Sequence, residues 1–326
     1  MKTILKSALF EDNILVKTHT KDFKTKIFEE NKITIDSEFA KGTMTEIKLN
    51  GVRITIRDIK TKNHTITVQH DFPFFKLQFE IEGSSHYKPL NKLSREVYIP
   101  NKHYNLFYLP EVNGILNYET KYRKTLEILF TENYIKKIIG SNYKNIFHKF
   151  GEAITTKESF LMWKKSKPIS QVLQSHINDI INCKYPNGLK KPYLEAKINE
   201  LLIFLLEKTN DIDPTKANDN LSDYDYNNIL KIETYIKDNL KNTLTIPELA
   251  LIAGMNTSKL KHDFKIVFNT TIFKYITQLR MEKAKHLIIN ESHTITEASY
   301  IVGYKHSQHF TAAFKKLYGF LPSKLT

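Results

Sequence analysis

The sequence predicts an α+β chain: an N-terminal antiparallel β-rich part with a helical segment, followed by an all-α C-terminal part. Two observations carry this. Six or more short alternating runs of β-branched and aromatic residues lie between about Lys32 and Thr131. The last hundred residues then contain one helical pattern written twice, TIPELALIAGMNTSKLKHDFK from Thr245 to Lys265 and TITEASYIVGYKHSQHFTAAFKK from Thr294 to Lys316.

The strand-like runs are KITI, TMTEIKL, VRITIRDI, HTITVQH, FFKLQFEI and REVYIP, separated by short breaks such as Lys62-Asn63 and Gly83-Ser84. Asn50-Gly51 between two alternating runs predicts a hairpin with a type I′ turn. Helical spacing begins at Glu132 (ENYIKKII) and continues through NYKNIFHKFGEAI, Ile169 to Asn182 and Pro192 to Lys208. The last of these is apolar over a broad face, with Leu194, Ile198, Leu201, Leu202, Leu205 and Leu206, so more than one surface must cover it. The polar, aperiodic stretch NDIDPTKANDNLSDYD, Asn210 to Asp225, is the predicted linker. The division is therefore 1–131 β-rich, 132–209 helical, 210–225 linker and 226–326 C-terminal domain.

Aligning Gly254 with Gly303 superposes the two copies of the repeat. A small residue stands four positions earlier (Ala250, Ser299), where two steeply crossing helices touch, and the glycine supplies the positive φ of a tight turn. Leu260 and Phe264, or Phe310 and Phe314, form one apolar face of the second helix by their i, i+4 spacing. The opposite face is polar: Ser258, Lys261 and His262 in the first copy, Ser307, Gln308 and Thr311 in the second. A helix so arranged can present its polar face to a DNA major groove. Lys261 suits guanine O6/N7 and Gln308 suits adenine, whereas Lys265, Lys315 and Lys316 at the far ends suit phosphates. Taken singly, any of these is also what a solvated helix face looks like. Thr245 with Glu248 and Thr294 with Glu297 have capping-box spacing, a structural role. Between the copies, Ile272 to Ile289 has helical periodicity and would span roughly 27 Å, approaching the distance of about 34 Å between successive major-groove faces.

The C-terminal part resembles the DNA-binding domain of the AraC/XylS transcription regulators, from Tyr226 to Lys324, through ILKIETYIKDNL, IPELALIAGMNTSKLKHDFK, YITQLRMEKAKHLI and GYKHSQHFTAAFKKLYGFLPSKL. CKYPNGLKKPYLEAKINELL is also similar to the branch typified by the pyochelin receptor-regulator. The resemblance implies a cupin-like sensory barrel in the β-rich part, a homodimer contact through the helical segment, and double-stranded DNA and RNA polymerase as partners. A siderophore-like or other small-molecule effector is implied as well. Three departures stand out. Asn269 replaces the usual glycine after the first reading helix, Ala312 and Ala313 follow the base-facing positions, and Leu325-Thr326 replaces an aromatic-Arg end.

Charge and composition agree with this outline. The net charge of +14 and pI ≈ 9.4 suit a polyanionic partner, although lysine is abundant throughout the chain. No run of about 18 apolar residues predicts a membrane span, and MKTILKSALFEDN is broken too soon to be a signal peptide. Cys183 is the only cysteine, which fits a reducing, cytoplasmic (nucleoid-associated) setting. No cofactor is expected. His64, His70, His86 and His103, near Asp71, Glu80 and Glu82, have no metal-ligand spacing. The aromatics Phe74, Phe75, Phe79, Tyr87, Tyr98, Tyr104, Phe107 and Tyr108 line an effector cavity or form plain core. No P-loop, G-x-S-x-G, H-E-x-x-H or dinucleotide fingerprint points to an enzyme. Three readings of the N-terminal part stay open: an effector sensor, a module serving only assembly or a protein partner, and a cupin-type catalyst carrying a DNA-binding tail.

Overall fold

A computed structural model of the chain describes residues 1–7, 13–25, 28–37, 40–91, 94–140, 148–210, 221–268 and 270–325. It divides into two compact units, Met1–Asn210 and Asp211–Thr326. Most of the predicted linker, together with Asn269 and Thr326, lies outside the described residues.

The first unit is built on two antiparallel sheets. One has the order β2-β1-β6-β11-β8-β9, with β1 Lys2–Lys6, β2 Ile14–Thr18, β6 His64–His70, β8 Ser85–Pro89, β9 Val97–Ile99 and β11 Val112–Tyr118. The other runs β13-β10-β7-β12-β5-β4-β3, with β14 also on β10. Its strands are β3 Glu29–Asp36, β4 Ala40–Leu49, β5 Val52–Thr61, β7 Phe74–Glu82, β10 His103–Leu109, β12 Tyr122–Phe130, β13 Phe160–Leu161 and β14 Lys167–Pro168. The antiparallel β-rich expectation holds. The closed barrel does not, because no ladder joins the edge strands β2, β9, β3 and β13 to one another among the described residues. Strands β1 and β2 precede the region the sequence marked. They are short, and KTILK and ILVKT carry little alternation.

The period of two sorts the larger sheet's side chains onto two different surfaces. Ile47, Leu49, Val52, Ile54, Phe75, Leu77, Phe79, Tyr104, Leu106, Tyr108, Leu126, Ile128 and Phe130 face helices and share one core with them. The helices are α1 Glu132–Ile139, α2 His148–Thr156, α3 Gln171–Ile181 and α4 Asn187–Asn210. All six apolar residues named on α4 are buried in that core, within this chain. The intervening residues of the same strands face the six-stranded sheet. There Phe74, Phe107 and Leu129 meet Val68, Tyr87, Val97, Ile99 and Val112 in a second core. The aromatic run is thus divided between two cores, and only Tyr98 is exposed.

The hairpin at Asn50-Gly51 forms with Leu49 opposite Val52. Its turn is not type I′: Gly51 has φ +83°, but Asn50 is not among the positive-φ residues, and type I′ needs both. Outside contacts set the turn instead. The Gly51 amide donates to the Asp22 carbonyl at 2.7 Å, the Gly51 carbonyl accepts from Thr131 at 2.9 Å, and Asn50 Oδ1 accepts from the Thr25 amide at 3.2 Å.

The second unit is all helical: α5 Asp223–Asp238, α6 Ile246–Ala253, α7 Thr257–Phe268, α8 Ile272–Asn290, α9 Ile295–Ile301 and α10 Ser307–Tyr318. It has two cores joined by α8. Ile272, Tyr275, Ile276 and Leu279 pack with α5, α6 and α7; Met281, Ala284, Leu287 and Ile288 pack with α9 and α10. At the middle of α8, Arg280 reaches across. Its Nε donates to the Leu240 carbonyl at 2.9 Å, Nη2 donates to the Asn242 carbonyl at 2.8 Å, and its guanidinium lies 5.7 Å from the Tyr304 ring centroid. Gly303 abuts the same loop, since a Cβ there would stand 2.5 Å from the Lys241 carbonyl oxygen.

Gly254→Ala meets no close neighbour and pays only for its left-handed φ of +62°, about 1 kcal/mol. Gly303→Ala must in addition displace backbone, so denaturant unfolding should show a loss of about 3 kcal/mol or more. In the first unit, burial and then the Arg53 charge lower the pKa of His19 to about 4 and of His70 to about 3. The folded state resists a proton that the unfolded chain takes up near 6.5. Stability is therefore full above that pH and falls on acidification, by about 2 kcal/mol per histidine between pH 6.5 and 5. Urea unfolding at the two pH values measures it.

Candidate nucleic-acid interface

Both predicted helix-turn-helix pairs are present, and they are built alike. Thr245 and Thr294 cap α6 and α9, each accepting from the backbone amide three residues on, while Glu248 and Glu297 return to the cap's own amide. The turn after each first helix holds its glycine at positive φ, +62° at Gly254 and +90° at Gly303. Met255 N donates to the Ala250 carbonyl and Tyr304 N to the Ser299 carbonyl, both at 3.0 Å. Ala250 and Ser299 are buried, as the helix crossing requires. Leu260 and Phe264 anchor α7, and Phe310 and Phe314 anchor α10; none of the four retains any exposure.

The remaining faces of the second helices point outward. On α7, Ser258, Lys261, His262 and Lys265 are all exposed. On α10, Gln308, Lys315 and Lys316 are exposed, whereas Ser307 and Thr311 are half-buried. Ala312 occupies the exposed face one turn after Gln308, and Ala313 packs against the second core. An exposed alanine makes no hydrogen bond to a base and is limited to apolar contact such as a thymine methyl.

Some residues of this surface were not picked out from the sequence. His306 and His309 lie side by side at the start of α10, ring centroids 5.7 Å apart. Asp263 is buried in the middle of α7. It is contacted by His262 Nδ1 at 2.9 Å and Lys259 Nζ at 2.9 Å, and Lys259 also reaches Asp225 of α5 at 3.1 Å. Since a carboxylate can only accept, His262 Nδ1 donates to Asp263. The i, i+4 spacing of Lys259 and Asp263 was a usable signal, but an aspartate beside Phe264 reads as another polar surface residue.

α8 is 19 residues long, about 28 Å, and carries one helix-turn-helix pair on each half. The order of elements is that of two reading helices separated by one rigid spacer.

Comparison with known proteins bears on the same segments. Residues 249–326 match the family described as a helix-turn-helix domain, and residues 41–221 match the regulatory protein PchR N-terminal domain. An uncharacterised HTH-type transcriptional regulator of Pseudoalteromonas carrageenovora is 34% identical over 90 residues, 28% of this chain and 53% of the relative. The raffinose operon transcriptional regulatory protein RafR of Pediococcus pentosaceus is 33% identical over 90 residues, 28% of this chain and 32% of the relative. The chain thus spans about half or less of the length of these curated relatives. Among solved structures, the C-terminal domain of AraT, a response regulator from Geobacillus stearothermophilus, is 26% identical. That match covers 32% of this chain and 85% of the other, with a TM-score of 0.30.

Lys261→Ala and Gln308→Ala should each relax preference at one base pair by about 1–3 kcal/mol, without general loss of binding. Competition binding against single-base operator variants reads this out, and unchanged preference in both variants would remove these residues from the base-contact set. With an N-terminal model match covering more than half of its length and a double helix-turn-helix behind it, the chain belongs to the AraC/XylS transcription regulators, in the branch defined by the PchR N-terminal domain.

Proposed function

We propose that this chain is a sequence-specific DNA-binding transcription regulator in which α7 and α10 enter successive major-groove segments of one duplex. The observation that supports this most strongly is the repeated helix-turn-helix with equivalent caps, turns and anchors, both copies mounted on α8. In this reading Ser258, Lys261 and His262, with Ser307, Gln308 and Thr311, meet bases. Lys265, Lys315 and Lys316 meet phosphates, adding affinity without sequence information. RNA polymerase is the downstream partner, and the protein acts in the cytoplasm on the nucleoid.

The N-terminal unit serves as the regulatory part. A small-molecule effector bound there acts through its different affinity for two arrangements of the protein on DNA. Homodimerisation belongs to the same reading. Since the apolar stripe of α4 is already covered within the chain, contact between copies falls to its outer face, where Ile203 is exposed. A module serving only assembly would bind DNA with an affinity that no small molecule alters.

The family and its relatives are transcription regulators, and catalysis has no part in this proposal. No described helix is long and apolar enough to cross a membrane.

Genome-wide footprinting of the bound protein is the direct test. The expected footprint contains two protected major-groove segments about 10 base pairs apart on one side of the duplex. Protection of a single segment, or none, would overturn the two-helix reading. Lys315→Ala should weaken binding to all sequences alike and lower the slope of log affinity against log salt by about 1.

A further inference from the structure

Strand alternation puts an unusual set of side chains on the face of the larger sheet that looks toward the smaller one. Arg53 and Arg57 flank Thr55 on β5, with Glu127 opposite Thr55 on β12 and Lys76 on β7 in the adjoining row. Three cations and one carboxylate therefore share this part of the face. Glu127 is shared by Arg57 and Lys76, with Lys76 Nζ at 2.6 Å, and together they hold its carboxyl far below the usual range despite burial. The neighbouring pairs Arg123–Glu80, at 3.1 Å, and Lys17–Glu46, at 3.4 Å, balance themselves.

Arg53 has no ion pair of its own, and Glu46 and Glu127 act on it only through space. It is 8% exposed, and no carboxylate among the described residues lies within ion-pairing distance of it. Its Nη1 donates to His19 Nε2 at 2.9 Å, and its guanidinium lies 5.4 Å from the Phe23 ring. Accepting at Nε2 leaves the His19 proton on Nδ1. That buried N–H has no partner, nor has Arg53 Nε, nor Thr125 Oγ1 farther along the same face. His19 and His70 are neutral near pH 7, because burial and the Arg53 charge oppose their protonation. Two positive charges thus remain uncompensated in a place where desolvation makes them costly.

The charged side chains on this face are not fully enclosed. Lys76 stands on the inner face of a central strand, between β10 and β12, yet its side chain is 16% exposed; that of Arg57 is 25% exposed. The six-stranded sheet above contributes Leu5, Ile66 and Leu116 by the same alternation, and each is only half-buried. A cationic floor and an apolar roof thus face each other across the space between the sheets, and both stay partly exposed.

We propose that this space between the sheets is a binding site for a small organic dianion, such as a dicarboxylate or a phosphorylated compound, held by Arg53, Arg57 and Lys76. One acidic group takes the free Arg53 and His19 donors, and the second is shared by Arg57 and Lys76 in competition with Glu127. The carbon skeleton lies against Leu116 and Ile66. The proposal rests on the regulatory reading of the first unit and supplies the ligand class for it. Charge count sets the preference: a monoanion leaves one positive charge buried, and a neutral ligand leaves both.

Calorimetric titration of the full chain with succinate and phthalate, against acetate and benzoate at matched ionic strength, tests this. The expected result is one saturable dianion site per chain. Affinity should fall more than about tenfold in Arg53→Met and rise in Glu127→Gln, which adds net positive charge. Thermal unfolding without ligand supplies a second readout. Arg53→Met should melt no lower than the unsubstituted chain, because the hydrogen bond to His19 that it loses is offset by removal of a buried charge with no ion pair. Equal dianion binding by Arg53→Met and the unsubstituted chain would overturn the proposal. So would absence of saturable binding by both dianions, or a lower melting temperature in Arg53→Met that no dianion offsets in the parent. Operator binding measured alongside keeps the two readings apart. Saturable binding that leaves operator affinity unchanged supports the site and fails the sensor. An operator response to a compound that binds Arg53→Met just as well supports the sensor and fails the site.

Discussion

The C-terminal unit depends on one junction. Arg280, halfway along α8, satisfies two carbonyls of the loop between α5 and α6 and lies near the ring of Tyr304. These carbonyls would otherwise be partly desolvated without partners, and a hydrogen bond from a charged donor is worth about 1.5–3 kcal/mol. Gly303 closes the same junction by allowing the second turn to touch the Lys241 carbonyl. Without it, α8 alone would connect two small cores, each too small to hold the other in place. Arg280 and Gly303 make two helix-turn-helix pairs into one body.

Much of this unit was legible in the sequence because its rules are local. Capping boxes, a glycine turn and apolar anchors one helical turn apart are all defined within about ten residues, and all appear where predicted. The Arg280 junction was not legible. It joins residues about 40 positions apart, and nothing in RMEKAKHL distinguishes an arginine that binds carbonyls from one in solvent. The buried Asp263 is a related case: its partner Lys259 stands one turn away in the sequence, but its burial, and the tie from Lys259 to Asp225, appear only once α5 lies alongside α7.

The N-terminal unit was legible as strands and not as an architecture. Alternation reports which residues share a face; it does not report what covers that face. Both sides of β7, β10 and β12 are covered, one by helices and one by strands, so their patterns approach continuous apolar runs broken by charge. Those charges, Arg53, Lys76, Arg123 and Glu127, look like solvent-facing positions in a half-exposed sheet. Only the second sheet shows that they are enclosed. The hairpin at Asn50-Gly51 makes the same point on a smaller scale. The dipeptide predicts the reversal, but contacts from Asp22, Thr25 and Thr131 select the turn.

The fixed length of α8 has a consequence for the DNA it would serve. A flexible tether between the two pairs would accept targets with variable gaps, whereas a continuous helix braced at its midpoint admits essentially one. Each inserted base pair turns the far segment by about 35° around the duplex axis, from about 10 base pairs per turn. Promoters under this protein's control would therefore be free to drift in base identity sooner than in length.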